Sequence, residues 1–280
     1  MPNDRAALGA FLRSRRDRLT PSQAGVEPFP GARRVPGLRK DELAVAAGMS
    51  PDYYSRLEQG RQRNVSSDVL DALARALRLD EVERAHLHDL AAPLTRSTSA
   101  GPRAGGHPDA GLLRVMRTLD HVPVLLLGRR GEVLARNALL TEVLGSPLEP
   151  GASFVRFMFR DPAARARIVN WSDFASATVA TMRRETARHP DDRRLTALMD
   201  ELRSTDADVA RWWEDQTVRD YASVEKHVRH PTAGPMSFAI EVVGAPHEPD
   251  QRLVVYTAEP GSPTAHALAV LAGSNAVPRH

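Results

Sequence analysis

The chain has 280 residues, of which 42% are apolar, a formal net charge of +3 and no cysteine. Such a length suits two domains with ordinary globular cores, and the missing cysteine excludes disulfides, thiolate-bound zinc, iron–sulfur clusters and thiol redox sensing. The longest apolar runs, such as Val122 to Leu127, fall far short of the ~20 residues that span a bilayer, and no signal-peptide core is visible, so a cytoplasmic protein without membrane contact is expected.

Leu8, Phe11, Leu12, Arg15 and Leu19 recur at the spacing of an amphipathic helix, with most arginines on the opposite face. Thr20 to Gly37 then holds four prolines and three glycines and reads as a long loop. A second helix is predicted from about Arg39 to Ala47, ended by Gly48 as a left-handed cap. Ser50 N-caps a third helix that has Pro51 at its first position and stops at Gly60. The Ser66-Ser67 pair opens a fourth helix carrying Val69, Leu70, Leu73, Ala74 and Leu77, and a fifth spans about Asp80 to Leu90. Charge is uneven along these helices. Residues 1 to 63 hold twelve Lys and Arg against seven Asp and Glu, whereas 64 to 91 hold three against six, so a basic patch suited to phosphates falls in the first stretch.

Within this helical segment, Asp41 to Gly60 places two helices around a tight glycine turn, with Leu43, Ala44, Ala47, Met49, Tyr54 and Leu57 as the buried seam between them. Glu42-Leu43-Ala44, Ala47-Gly48, Ser50 and Leu57-Glu58-Gln59-Gly60 give residues 8 to 79 a pattern that resembles the Cro/repressor-like (XRE) helix-turn-helix family. That resemblance implies an all-α five-helix DNA-binding domain over residues 1–91. It makes double-stranded operator DNA the partner, with Pro51, Asp52, Tyr53 and Arg56 facing the bases and Ser55 and Gln59 at the margin, towards the backbone. An arginine suits guanine O6 and N7, and an aspartate suits cytosine N4. Arg33, Arg34, Arg39, Lys40, Arg61 and Arg63 flank the helices and are expected at phosphates, which supply affinity without reading sequence. By the same resemblance Glu58 is structural, paired with Arg15 or Arg16 of the first helix, and Tyr54 belongs to the core. One such head reads only a half-site, so a homodimer is expected.

Residues 92–108, rich in Ser, Thr, Gly and Pro, read as a linker, and 109–280 as a second domain. Val122 to Leu127 and Glu132 to Arg136 form a hairpin across Gly128-Arg-Arg-Gly131. A helical middle from about Asn137 to Asp220 precedes three further strand-like runs, Val224 to Val228, Met236 to Val243 and Arg252 to Ala258. The expected fold is α+β, a roughly five-stranded antiparallel sheet with helices packed on one side, and this layout resembles the PAS fold.

Arg34-Val-Pro-Gly-Leu-Arg, Phe159-Arg-Asp-Pro-Ala-Ala-Arg and Asp250-Gln-Arg-Leu-Val-Val-Tyr-Thr-Ala-Glu-Pro-Gly-Ser262 together make nearly the whole chain similar to MmyB-like regulators. The resemblance implies a PAS-like domain that binds a lipophilic, fatty-acid-like small molecule. Phe154, Phe157, Met158, Trp171, Phe174, Trp212, Trp213, Phe238, Ile240 and Tyr256 are the candidate pocket residues. Asn170-Trp171 stands where relatives usually have Asp-Trp, and Gln216-Thr-Val-Arg219 where His-Asp-Val-Arg is common, which separates this chain from its relatives at candidate polar positions.

No Gly-x-Ser-x-Gly, phosphate-cradling Gly loop or His-Glu-x-x-His occurs, so neither an enzyme nor a cofactor is expected. His227 and His230 straddle a strand end at a spacing that opposes metal ligation. Lys40 and Lys226 are the only lysines in an arginine-rich chain, a bias of the kind a GC-rich genome produces. The function expected is transcription regulation by a ligand-responsive DNA-binding protein; the alternative is a DNA-binding protein whose second domain is a ligand-free scaffold for dimerisation or partner docking.

Overall fold

The computed structural model describes residues 4–29, 35, 37–62, 64–92, 107–218 and 225–275. The chain forms two compact units. The first is Met1–Gly101 with Thr186–Thr196 and Arg211–Arg219, and the second is Pro102–Glu185, Ala197–Ala210 and Asp220–His280. Among the described residues no helix is long and apolar enough to cross a membrane.

The first unit begins with α1 (Asp4–Arg18), whose Leu8, Phe11 and Leu12 are buried as their spacing predicts. The Thr20–Gly37 stretch is not wholly a loop, because α2 (Pro21–Ala24) forms inside it. Thr20 and Gln23 make a reciprocal capping box there and Gly25 closes the turn at φ 69°, so residues that looked like helix breakers are in fact a helix start and stop. Then come α3 (Lys40–Ala46), α4 (Pro51–Glu58), α5 (Ser67–Ala76) and α6 (Glu81–Ala91). Their starts fall where the cap residues lie: Ser50 Oγ accepts from the Tyr53 amide, Ser66 Oγ from Val69, and Asp80 from Glu83. Leu43, Ala44, Tyr54, Leu57, Leu70, Leu73 and Leu87 complete the core.

In the second unit α7 (Ala110–Thr118) precedes β1 (Val124–Gly128) and β2 (Val133–Arg136). Next are α8 (Ala138–Leu144), α9 (Phe154–Arg160), α10 (Pro162–Arg167), α11 (Trp171–Arg188), α12 (Arg193–Thr205) and α13 (Ala207–Glu214), of which the end of α11, the start of α12 and the second half of α13 cluster with the first unit. The chain returns through β3 (Lys226–His230), β4 (Gly234–Ala245) and β5 (Glu248–Thr257) and ends in α14 (Pro263–Asn275). The strands make one antiparallel sheet in the order β2-β1-β5-β4-β3, with Val124 opposite Val255 and Lys226 opposite Phe238.

Alternation along the central strands sends side chains to two different cores. Val124, Leu126, Leu253 and Val255 pack with Leu112 and Met116 of α7, whereas Leu125, Leu127, Val254 and Tyr256 point to the other face, where Phe154 of α9 and Phe174 of α11 lie. The sheet is therefore covered on both faces at β1 and β5, not on one as the sequence suggested. Residues 124–127 of β1 and 253–256 of β5 are unbroken apolar runs for this reason. On β4 burial alternates: Met236, Phe238 and Ile240 are buried between exposed Ser237, Ala239 and Glu241.

Candidate functional site

Two regions bring chemistry-bearing residues together. In the first, the turn between α3 and α4 is set by Gly48 at φ 67°, with the Met49 amide reaching back to the Ala44 carbonyl at 2.9 Å. Tyr54, Leu57 and Glu58 turn inward from α4, which leaves Pro51, Asp52, Arg56 and Gln59 exposed and Tyr53 and Ser55 half-buried. Asp52 and Arg56 are paired at 3.1 Å, one helical turn apart. The exposed positions 52, 56 and 59 form one stripe, as an i, i+4, i+7 spacing requires.

Glu58 anchors this helix from beneath. Its carboxylate is buried and accepts from Arg13 Nε and Arg16 Nε, both at 3.1 Å, with Lys40 Nζ at 3.4 Å. Burial pushes the Glu58 carboxyl up, but the hydrogen bond and charge of Arg16, with Tyr54 and Lys40, outweigh it and hold the group below the ordinary carboxylate range. Of the two arginines proposed for Glu58, Arg16 is the partner; Arg15 goes to Glu83 at 2.8 Å. Arg13, three residues before Arg16 on the same face of α1, joins the cluster. Burial likewise raises the Tyr54 hydroxyl well above its ordinary value, in keeping with a core role.

Among the flanking cations, Lys40 is half-exposed at the Glu58 cluster, Arg39 is half-buried at the N-cap of α3, and Arg61 is exposed just beyond α4. Arg33, Arg34 and Arg63 lie outside the described residues.

The second region is a chamber between the sheet and helices α9 and α11, lined by Leu125, Leu127, Phe154, Phe174, Lys226, Ile240, Val254 and Tyr256. Four candidate pocket residues, Phe154, Phe174, Ile240 and Tyr256, are in this lining. Phe157, Met158, Trp171 and Phe238 are buried but are not part of it. Trp171 instead donates its indole N–H to the Met158 carbonyl at 2.8 Å and lies under the Arg165 guanidinium at 3.5 Å, which fixes it as packing between α10 and α11. Trp212 and Trp213 are half-buried on α13, in a stretch that clusters with the first unit. The void enclosed by the lining is about 10 Å³, room for about one water.

Lys226 is the lining residue that sequence reasoning passed over. Its side chain is fully buried, and Nζ donates to the Tyr256 hydroxyl at 2.8 Å. Nζ lies 4.3 Å from the ring centre of Phe174, 4.7 Å from Tyr256 and 5.6 Å from Phe154. Burial alone lowers its ammonium to about 7. The one available signal was its rarity, since Lys226 is one of two lysines in the chain.

The departures from the related pattern have a structural reading at one point. Asn170 donates to the Glu225 carbonyl at 2.7 Å and accepts from the His227 amide at 3.0 Å, so it pins the entry to β3. An aspartate, which has no N–H, supplies only the second of these bonds. The two histidines have separate partners: His227 Nδ1 is 2.9 Å from Ser237 Oγ, whereas His230 Nδ1 accepts from the Ala233 amide at 3.0 Å. Among the described residues no cluster of His, Asp and Glu is arranged to hold a metal.

Residues 7–87 match a helix-turn-helix domain family, and residues 108–271 match the MmyB-like transcription regulator ligand binding domain. No curated protein matches the chain in sequence. With a helix-turn-helix at one end and more than half of its length in the second match, the chain belongs to the family of MmyB-like transcription regulators.

Proposed function

We propose that the protein is a cytoplasmic, homodimeric regulator whose C-terminal domain takes up a lipophilic small molecule and thereby changes the affinity of the N-terminal domain for its operator. The observation that carries this reading is the apolar chamber between the sheet and helices α9 and α11, inside the matched ligand-binding domain. At the DNA end, Arg56 and Asp52 read bases and Pro51 and Tyr53 lie beside them. Lys40, Arg39, Arg61, Ser55 and Gln59 approach the backbone. Exposure of the 52, 56 and 59 stripe supports this division of roles.

The closed state of the chamber bears on mechanism. Drug-sized ligands occupy on the order of 300–1,000 Å³, against a void of about 10 Å³. Occupancy therefore requires α9 and α11 to move from the sheet, and a ligand favours such a state only through its differential affinity for it. Ten buried methylenes contribute roughly 8 kcal/mol before costs, which exceeds the ~5.5 kcal/mol that inverts a 1:99 equilibrium. The same small void favours a second reading, in which the domain is a filled scaffold for dimerisation or docking. Native mass spectrometry of the full chain separates them. Co-purifying lipid, with a melting temperature that rises on adding alkyl ligands, supports the sensor. A ligand-free domain that no alkyl compound stabilises supports the scaffold.

A further inference from the structure

We infer that residues Asp215 to Val218 are a strap that holds α1, and through it α4, in the arrangement that binds operator; this rests on the DNA-reading role given to α4. By sequence the segment falls inside the match to the ligand-binding domain, at 108–271, yet it is built into the first unit. Three side chains of α1 take its main-chain carbonyls. Ser14 Oγ donates to Asp215 at 3.3 Å, Arg15 Nη2 to Gln216 at 2.8 Å, and Arg18 Nη2 to Asp215. Arg18 also pairs with the Asp215 carboxylate at 3.7 Å. Val218 is 4% exposed and belongs to the same buried core as Leu8, Phe11, Leu12, Leu57 and Leu87.

Helix α1 carries the strap and α4 on opposite sides. Gly9, Arg13 and Arg16 share one face and meet α4, Gly9 at the Glu58 carbonyl and both arginines at its carboxylate. Ser14 and Arg18 follow Gly9 by five and nine residues and so fall about half a turn round the helix. A shift of the strap therefore reaches α4 through one packed, rigid element. Gln216 stands at φ 52°, a left-handed backbone that non-glycine residues adopt only where their surroundings impose it. There the chain leaves α13 and gives its carbonyl to Arg15. The departure of Gln216-Thr217 from the common His-Asp leaves the strap intact, because α1 takes main-chain oxygens and the core takes Val218. Residues 207–210 of α13 belong to the second unit and the rest of that helix to the first, so a displacement of α13 pulls on the strap.

The chain has no cysteine, so one introduced thiol reports one position. The test is the rate of maleimide labelling of the full chain carrying Val218→Cys, alone, with an operator selected from random-sequence DNA, and with random DNA at saturation. Val209→Cys, fully buried on α13 within the second unit, is the control, and Val270→Cys, 69% exposed, sets the rate of an open thiol. The thiol at 218 is expected to label at least about a hundredfold more slowly than the one at 270. Saturating operator should slow it about tenfold more, since an opening that weakens operator binding is suppressed by operator to the same degree. Random DNA is expected to leave the rate at 218 unchanged, and operator to leave the rate at 209 unchanged. A thiol at 218 as fast as that at 270, a rate indifferent to operator, or equal slowing at 209 overturns the strap. Slowing by random DNA as strong as by operator leaves the strap on α1 standing and overturns the DNA-reading role of α4. Should Val218→Cys fail to fold, Thr217→Cys, half-buried on the same segment, carries the same comparison.

Discussion

Arg56 and Asp52 sit one turn apart on an exposed helix face and are paired at 3.1 Å. An exposed pair of this kind contributes about 0–1 kcal/mol, so Arg56 is readily released to a base. In the proposed complex Arg56→Ala weakens operator binding by about 1–3 kcal/mol and relaxes preference at one position, which binding to single-base operator variants measures. Glu58 has the opposite character. Its buried carboxylate faces Arg13, Arg16 and Lys40, and Glu58→Gln removes the buried counter-charge they share, leaving Arg16 only Asp17 at 2.8 Å. Removing one partner of a buried pair costs about 3–5 kcal/mol, to be read by denaturant unfolding. Because the folded carboxyl is held below its unfolded value, the stabilisation is complete above the ordinary pKa of about 4.3 and is lost as pH falls through the folded value. Lys226 works in reverse. Its amine is lowered to about 7 in the fold, so between pH of about 7 and about 10 the unfolded chain binds the extra proton and stability rises with pH. Lys226→Met removes that slope, and its advantage in melting temperature over the natural protein grows as pH falls across this window.

Helix α1 meets α4 at Gly9, where an added Cβ would lie 2.2 Å from the Glu58 carbonyl oxygen. Gly9→Ala must push the two helices apart, at a cost of about 1–3 kcal/mol in unfolding free energy, and a variant as stable as the natural protein would show that the helices are less tightly apposed. The caps and apolar periodicities that define α3, α4, α5 and α6 are local, and they were legible as residues: Ser50, Gly48, Ser66 and Asp80 mark ends that the structure confirms. The strands were legible for the same reason: β3 covers Lys226–His230, and Val224, where that run was expected to begin, lies outside the described residues. Long-range packing was not legible. Pro21 was read as a breaker when it is the first residue of α2, and α7 lies on the face of the sheet expected to be bare. Trp171 and Phe238 have the composition of pocket residues, yet composition cannot tell a side chain that lines a void from one that packs behind it. Lys226 carried no local signal because its role depends on a reach across β4 to Tyr256.

At the scale of the whole molecule, a helix-turn-helix domain and a ligand-binding domain occupy one chain. The proposed dimer follows from the geometry of paired heads about 34 Å apart on DNA. Light scattering behind size exclusion should give twice the 30.7 kDa chain mass, and a monomer both with and without DNA would refute the dimer. The chamber has room for about one water in the structure, so the proposed regulation requires it to open. The most direct test is the binding isotherm of the full chain on an operator selected from random-sequence DNA, recorded with and without saturating dodecanoic acid while native mass spectrometry reports occupancy. Ligand-coupled operator binding requires a change in operator Kd of at least about tenfold, or about 1.4 kcal/mol of coupling, and superimposable isotherms from protein shown to be fully occupied would contradict it.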